Sequence, residues 1–598
     1  MTLNARDRRQ NIQLLKQEHY DLVIMGGGIT GAGIALDAAS RGMKVALLER
    51  EDFASGASGR STKMIHGGLR YLKKLQIKNV MQTGKERATL YENAPHVIRR
   101  EKMLIPFYKG GSFGRLTTSI GLKVYDYLAG VQKDERRQIY RREEVLKKIP
   151  QLKAEGLRGA AEYVEYRTDD ARLTLEIIKR AVEMGAHCFN YLEAQSFNYD
   201  PNGYVEAVVA KDRMTQNTYL VEGDIVLNAT GAWAYDFSPE AIVDGMEVRY
   251  IKGAHLVFDQ KDFPLEDALF FDTEDNKQMV CAIPRGDKTY VGVSSSLYEG
   301  KRETPAVSTT DQARLLALIN QYLPALNLTT ESIESSWAGV ASIIIDKHHT
   351  GKKGEKSLLK ITGDGLVTVT TGKLTGYREL AESVVDEIVA KLGSEKGKTF
   401  GACQTMTLPI SGGDVGGSEG FAQFIEKAVE AGIAANLTEE EARQLALIYG
   451  SNIDQLFNIA KTASPEEMQG LPLPLYLQLR YALEHESLLR PSDFFIRRTG
   501  MLYFNLAQMV QYQVEVVRFM ARYFSWSIEQ IKHYNSELEM ALYQATHPVE
   551  DDRIVKLTKK EQAVAAAPVI EEISHPKEKE NGAELTTHDS SGKEGRAL

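Results

Sequence analysis

The stretch "YDLVIMGGGITGAG", Tyr20–Gly33, is an apolar run that breaks into glycines and resumes as small and aliphatic residues. Asp21–Met25 reads as a strand, the small residues to about Arg41 as a helix, and Lys44–Glu49 as a second strand. This βαβ start predicts a doubly wound α/β sheet. Gly26, Gly28 and Gly31 satisfy GxGxxG directly between strand and helix. The first glycine permits the tight turn, the second lets the backbone approach a pyrophosphate, and the third lets the helix pack closely on the strand. Phosphate charge then sits at the helix N-terminus, where free N–H groups and the dipole favour anions. Glu49, at the end of the second strand, stands where an acid accepts hydrogen bonds from an adenosine ribose.

The glycine motif alone does not separate NAD from FAD. The loop that follows, "ASGASGRSTKMIHGGLRY" (Ala54–Tyr71), is crowded with Ser, Gly, Arg, Lys and His. A nicotinamide enzyme more often continues into another βα unit, whereas a permanently held flavin needs a polar stretch running along it. The loop favours FAD.

At 598 residues the chain exceeds the roughly 250–300 residues at which single cores stop growing, so several domains are expected. A net charge of -8 lacks the basic footprint of a nucleic-acid partner. Cys188, Cys281 and Cys403, odd in number and far apart, fit neither a disulfide framework nor a CxxC metal site, and a reducing cytosol is the simplest compartment. The polar N-terminus has no secretory apolar core, and no stretch approaches the ~20 apolar residues of a membrane span. Alternating runs at Tyr204–Ala210 and Tyr219–Leu227 read as a hairpin returning to "NATGAW", and "AHLVFD", "MVCAIP" and "TYVGVSSS" suggest a second sheet. Helices are expected over Ala171–Gly185, over Tyr377–Leu392 after the strand in "LVTVTTG", and nearly throughout Leu437–Tyr543. The expected partition is an FAD-binding Rossmann-like domain over 18–90, about 155–248 and about 357–400. A β-rich substrate domain then takes about 91–154 and 249–356, an all-helical C-terminal domain 405–548, and a disordered tail 567–598.

"GGGITGAGIALDAASRGMKVALLE", "STKMIHGGLRYL", "YVEYRTDDARLT", "NATGAW", "KGAHLVFDQ", "ESSWAG", "GKLTGYRELAE" and "FFIRRTG" together resemble the FAD-dependent glycerol-3-phosphate dehydrogenases of the aerobic type, from about Tyr20 to Tyr543. The resemblance implies that sn-glycerol 3-phosphate loses a hydride from C2 to flavin N5 and becomes dihydroxyacetone phosphate. Electrons then pass to quinone at the membrane surface or, in the related oxidases, to oxygen. A cytoplasmic protein on the inner face of the cell membrane, paired as a homodimer, is expected. The resemblance also implies that Gly26, Gly28, Gly31 and Glu49 bind the adenosine diphosphate, that Ser61 and Thr62 lie along the flavin, and that Gly372, Lys373 and Thr375 approach the isoalloxazine. Arg70, Tyr71, His255 and Lys373 face the substrate in this reading, with His255 as base and Arg70 and Lys373 as cations for the phosphate and the anionic reduced flavin. Arg497 and Arg498 are expected to form an interdomain salt-bridge pair, and the adjacent His348 and His349 a solvated loop and no metal site.

The chain departs from the family pattern at three places. After "ESSWAG" the family has an aliphatic residue and then Arg-Pro-Leu, while here Val340 is followed by Ala341, Ser342 and Ile343. Downstream, "DKHHTGKKGEKSLLK" lacks the arginine of a Ser-Arg pair, and Val293–Ser296 replace Thr-Thr-Asp-Thr. The flavin pattern is intact while the phosphate cations are reduced. Two alternatives therefore stand beside the dehydrogenase: an FAD oxidoreductase for another hydroxy compound, and a catalytically impaired paralogue. The short passage after Trp337 lacks the insertion usual in the related oxidases and favours a dehydrogenase.

Overall fold

A computed structural model describes residues 1–65, 77–109, 135–242, 245–272, 279–346, 358–370, 374–550 and 554–555. The glycine-bounded run Tyr20–Met25 is β1, and all six of its residues are buried. It pairs in parallel with β2 (Val45–Leu48) on one side and β10 (Thr218–Asn228) on the other. β7 (His187–Phe189) and β17 (Val367–Thr370) extend the parallel core outward, and β16 (Leu358–Ile361) closes one edge antiparallel. Strands buried on both faces read as continuous apolar runs, which is why β1 and β2 show no alternation.

Each face of this sheet has its own cover. Leu22 and Ile24 pack with the helices Ile29–Ser40, Asp170–Glu183 and Tyr377–Lys396. Val23 and Met25 point the other way, onto an antiparallel meander of β8 (Leu192–Tyr199), β9 (Val205–Asp212) and the start of β10. The expected hairpin is the β9–β10 pair. Ile12 and Leu15, in a polar N-terminus that carries no periodic signal, are buried against the same meander.

A second sheet runs in the order β15 (Ile333–Asp346), β11 (Met246–Asp259), β14 (Lys288–Tyr298), β13 (Met279–Arg285), β12 (Ala268–Asp272), β4 (Ile98–Tyr108), β6 (Leu157–Thr168) and β3 (Met64–Ile65), with β5 (Gln138–Arg141) also on β6. One face packs on the helix Thr309–Tyr322. The opposite face carries Met103, Ile105, Tyr163, Val257, Ile283, Tyr290 and Trp337, and meets Met64 and the side chains of Tyr503 and Phe504. The expected strands "AHLVFD", "MVCAIP" and "TYVGVSSS" fall in β11, β13 and β14.

From Gly417 the chain is helical, with six longer helices ending in Leu506–Phe524 and Ile528–Thr546 around a core of their own. A buried ion-pair network joins this bundle to the first sheet. Arg497 Nε and Arg498 Nη1 each donate to Asp52 Oδ2 at 2.7 Å, and Arg498 Nη2 donates to Asp52 Oδ1 at 3.0 Å. Arg172 adds bonds to Glu486 and to the Arg498 carbonyl. The expected interdomain role of Arg497 and Arg498 is met on these bonds.

Candidate active site

The nucleotide cradle is built at the end of β1. Gly26 has φ +109, and a Cβ there would stand 2.5 Å from the Ala229 carbonyl oxygen. A Cβ on Gly31 would stand 2.0 Å from the Gly26 oxygen, so the helix can approach the strand only as glycine. Ile29 N–H, in the first turn of the helix, donates to Ser58 Oγ at 2.9 Å. Glu49 accepts from Gly27 N–H at 2.7 Å through one oxygen and from Glu51 N–H at 2.8 Å through the other. Burial raises its pKa, while these two donors oppose the shift. The acid therefore fixes the glycine turn before it holds any ribose.

The turn that follows is pinned to the same place. Ala54, at φ 61, donates its N–H to the Gly27 carbonyl, and Asn190 Nδ2 reaches Asp52 Oδ1 at 3.0 Å. Thr375 Oγ1, close before the helix Tyr377–Lys396, is buried and has no hydrogen-bond partner among the described residues. A close backbone cradle at a helix N-terminus together with an orphan buried hydroxyl fits a bound FAD.

The loop Arg60–Ile65 carries the cradle across to the second sheet. Asp170, fully buried at the start of its helix, accepts from Ser61 N–H (2.9 Å), Ser61 Oγ (2.7 Å) and Lys63 Nζ (2.6 Å). Lys63 takes φ 58, and its Nζ stands 5.5 Å from the Trp337 ring centroid. Trp337 Nε1 donates to the Ser61 carbonyl at 3.2 Å and the Tyr290 hydroxyl to the Thr62 carbonyl at 3.1 Å. The backbone of Ser61 and Thr62 is thus held from both sides. No pattern in the sequence singles out Asp170, Lys63 or Tyr290 for this work. The only signal is two consecutive acids at a helix start, of which Asp169 is the N-cap.

His255 lies under this loop in β11. Its ring stacks on Trp337 with centroids 4.6 Å apart and planes 6° from parallel, and the residue is 2 % exposed. Nε2 is 3.2 Å from Thr62 Oγ1. A Cβ on Gly292, its cross-strand neighbour in β14, would stand 2.3 Å from the ring, so glycine provides the space the imidazole fills. Burial first, and the Lys63 charge second, lower its pKa to about 3. The ring is neutral at physiological pH.

Gly26, Gly28, Gly31, Glu49, Ser61, Thr62 and His255 therefore line one path from the cradle to the second sheet, and Ser61 spends its hydroxyl on Asp170. Arg70, Tyr71, Gly372 and Lys373 lie outside the described residues, as do His348 and His349. Ala341 stands opposite Ile251, four residues along β15 from Trp337, which itself stands opposite His255. By strand alternation Ala341 belongs to the face that holds His255. Arg60 packs its Cβ against Gly339 between those two positions, and burial lowers the pKa of its guanidinium, a shift that the Glu51 charge opposes.

Residues 21–382 match the profile of the FAD dependent oxidoreductase family, and 403–531 that of the C-terminal domain of alpha-glycerophosphate oxidase. An aerobic glycerol-3-phosphate dehydrogenase of Staphylococcus aureus (strain USA300) is 46% identical over 549 residues, which is 92% of this chain and 98% of that one. The X-ray structure of glycerol-3-phosphate dehydrogenase from Bacillus halodurans, complexed with FAD, superposes with a TM-score of 0.79 at 39% identity, covering 92% of this chain and 99% of that one. The L-alpha-glycerophosphate oxidase of Mycoplasma pneumoniae with FAD bound, at 17% identity and a TM-score of 0.50 over 64% of this chain and 96% of that one, shares the fold. With the glycine cradle, the second sheet and the helical bundle all matched, the chain belongs to the FAD-dependent oxidoreductases, among the aerobic glycerol-3-phosphate dehydrogenases.

Proposed function

We propose that the protein oxidises sn-glycerol 3-phosphate to dihydroxyacetone phosphate with FAD as its cofactor and quinone as the eventual acceptor. The observation that carries this reading is a buried neutral imidazole, His255, joined by one short loop to a dinucleotide cradle. When bound, FAD supplies the two-electron acceptor for the hydride of C2. Gly26, Gly28 and Gly31 admit its pyrophosphate, Glu49 its ribose, and Ser61, Thr62, Gly372, Lys373 and Thr375 its flavin end.

Loss of a hydride leaves a hydroxyl whose proton must end on a nearby base, and His255 is the base of this site. Once the hydride departs, the hydroxyl is that of a protonated carbonyl, a stronger acid than imidazolium. A ring whose proton affinity is lowered by burial still takes the proton. Arg70, Tyr71 and Lys373 are the substrate-binding residues of this reading. Because Ala341 offers no cation on this face, Arg60 joins Arg70 and Lys373 as a phosphate ligand, and it retains the planar fork that a lysine lacks.

No described helix is long and apolar enough to cross a membrane. Exposed Val510, Val514, Ile528, Met540 and Tyr543 on the last two long helices support contact with a membrane surface, where quinone is reached.

The test is the visible spectrum of the purified protein before and after sn-glycerol 3-phosphate is added without oxygen. The expected result is a yellow protein that bleaches with the phosphate ester and not with glycerol, and recovers its colour with a soluble quinone. A yellow protein that stays yellow with the ester sinks this reading and favours another hydroxy substrate or an impaired paralogue.

A further inference from the structure

His255 is too enclosed to meet a substrate directly. Its ring is covered by Trp337 on one face, Gly292 leaves no room beyond the imidazole itself, and the residue is 2 % exposed. Thr62 Oγ1, 3.2 Å from Nε2, belongs to a residue that is only partly buried. Two tautomers are open to a neutral imidazole. The Trp337 backbone favours a proton on the ring, although Nδ1 lacks a partner at full hydrogen-bond geometry. With that proton on Nδ1, the Nε2 lone pair accepts from the Thr62 hydroxyl, and the threonine oxygen still has lone pairs with which to accept.

We propose that the Thr62 hydroxyl relays the substrate's proton to His255, so that Thr62 is the residue that touches the reacting hydroxyl and His255 stands one bond behind it. The inference rests on the dehydrogenase reading above. As the C2–H bond breaks and its electron pair leaves with the hydride to the cofactor of that reaction, the C2–O bond becomes a carbonyl. The hydroxyl proton passes to Thr62 Oγ1, and the proton Thr62 already carries passes to His255 Nε2. It returns to water by the same route after the product leaves. Trp337 and Tyr290, bonded to the Ser61 and Thr62 carbonyls, hold the relay in register, and Asp170 holds the Ser61 end. Threonine serves here because it both accepts and donates through one oxygen, while its methyl group restricts the rotamer.

The experiment compares wild type, Thr62→Val and Thr62→Ser, each loaded with FAD, by the rate of anaerobic flavin bleaching at saturating sn-glycerol 3-phosphate. Valine keeps the shape and removes the hydroxyl. The expected result, at matched flavin content, is a fall of about 100-fold in the T62V rate, with KM within about threefold of wild type and recovery of most of the rate in T62S. A T62V rate close to wild type overturns the relay, and so does a T62S rate as low as that of T62V, which would mean shape rather than the hydroxyl matters. A wild-type protein that does not bleach defeats the dehydrogenase reading instead. The relay is then judged by 15N-histidine NMR: a His255 Nε2 resonance, assigned with His255→Asn, must move between wild type and T62V, and one that does not move overturns it.

Discussion

At the scale of single residues, the site depends on spaces as much as on functional groups. The imidazole of His255 occupies the volume that any side chain on Gly292 would claim. A Gly292→Ala Cβ at 2.3 Å from the ring forces His255 off the Trp337 stack or pushes β14 away from β11. Overpacking of this kind costs about 1–3 kcal/mol, a tolerable loss for a chain of this size. Gly292→Ala is therefore expected to fold and to hold FAD while losing most of its rate of substrate-driven bleaching, because Nε2 no longer meets Thr62. Equal rates for the variant and the wild type, with matched flavin content, contradict this. Gly26 and Gly31 behave differently, since their missing Cβ atoms face backbone oxygens that cannot move aside.

At the scale of elements, β1, the glycine turn and its helix were legible because local pattern and tertiary role agree: an apolar run, a turn only glycine can make, and small residues that pack close. Thr62 and His255 were singled out by resemblance, whereas the contact between them, 193 residues apart in the chain, leaves no local trace. The same is true of Asp170 and Asp52, whose charges are buried by partners distant in sequence. β4 and β6 carry no clear strand pattern, because Arg and Glu interrupt their apolar residues where they pair as Arg99 with Arg167 and Glu101 with Glu165. The Asp52 turn makes the element-scale prediction. It is held from the helical bundle by Arg497 and Arg498, and it sets Ala54 against Gly27 of the cradle. Asp52→Asn leaves two buried guanidinium groups short of a counter-charge, at a cost of about 3–5 kcal/mol. It is expected to lower the melting temperature and to weaken FAD binding, measured by the recovery of flavin fluorescence on dilution. Arg443→Gln, which removes an exposed pair with Glu426 and Glu439 within the bundle, should change neither. Unaltered flavin retention in Asp52→Asn separates the clamp from the cradle and refutes the prediction.

At the scale of the whole molecule, three packed bodies meet around buried groups whose charge state depends on the fold. His96 lies against Gly412 and Gly450 with neither ring nitrogen fully hydrogen-bonded, and burial, reinforced by Lys179 and Arg172, lowers its pKa to about 3. His255 has the same depressed value for the same leading reason. A histidine whose folded pKa lies below its unfolded value of roughly 6.5 leaves the unfolded chain binding more protons at any pH between the two. Its contribution is fully present above about 6.5 and is lost as pH falls toward 3. Each such histidine removes about 1.4 kcal/mol of stability per pH unit within that window, before the paired carboxylates begin to protonate. Asp52 and Asp169, held low by Arg497, Arg498 and Arg285, act only below about pH 4, so the two effects separate on the pH axis. Burial also lowers the pKa of His187 and His485, while that of Asp493 is raised to about 7 and works the opposite way, so the wild type alone does not isolate one ring. His96→Leu, which replaces a neutral buried ring by an apolar side chain and leaves those groups in place, should gain stability relative to the wild type as urea midpoints are followed from pH 7 through 6 to 5. Such a variant keeps its flavin, since His96 touches neither the cradle nor the Thr62 loop. If His96→Leu and the wild type lose stability in parallel between pH 7 and 5, the imidazole takes up its proton without unfolding, and the interface around Gly412 and Gly450 admits water that its burial excludes.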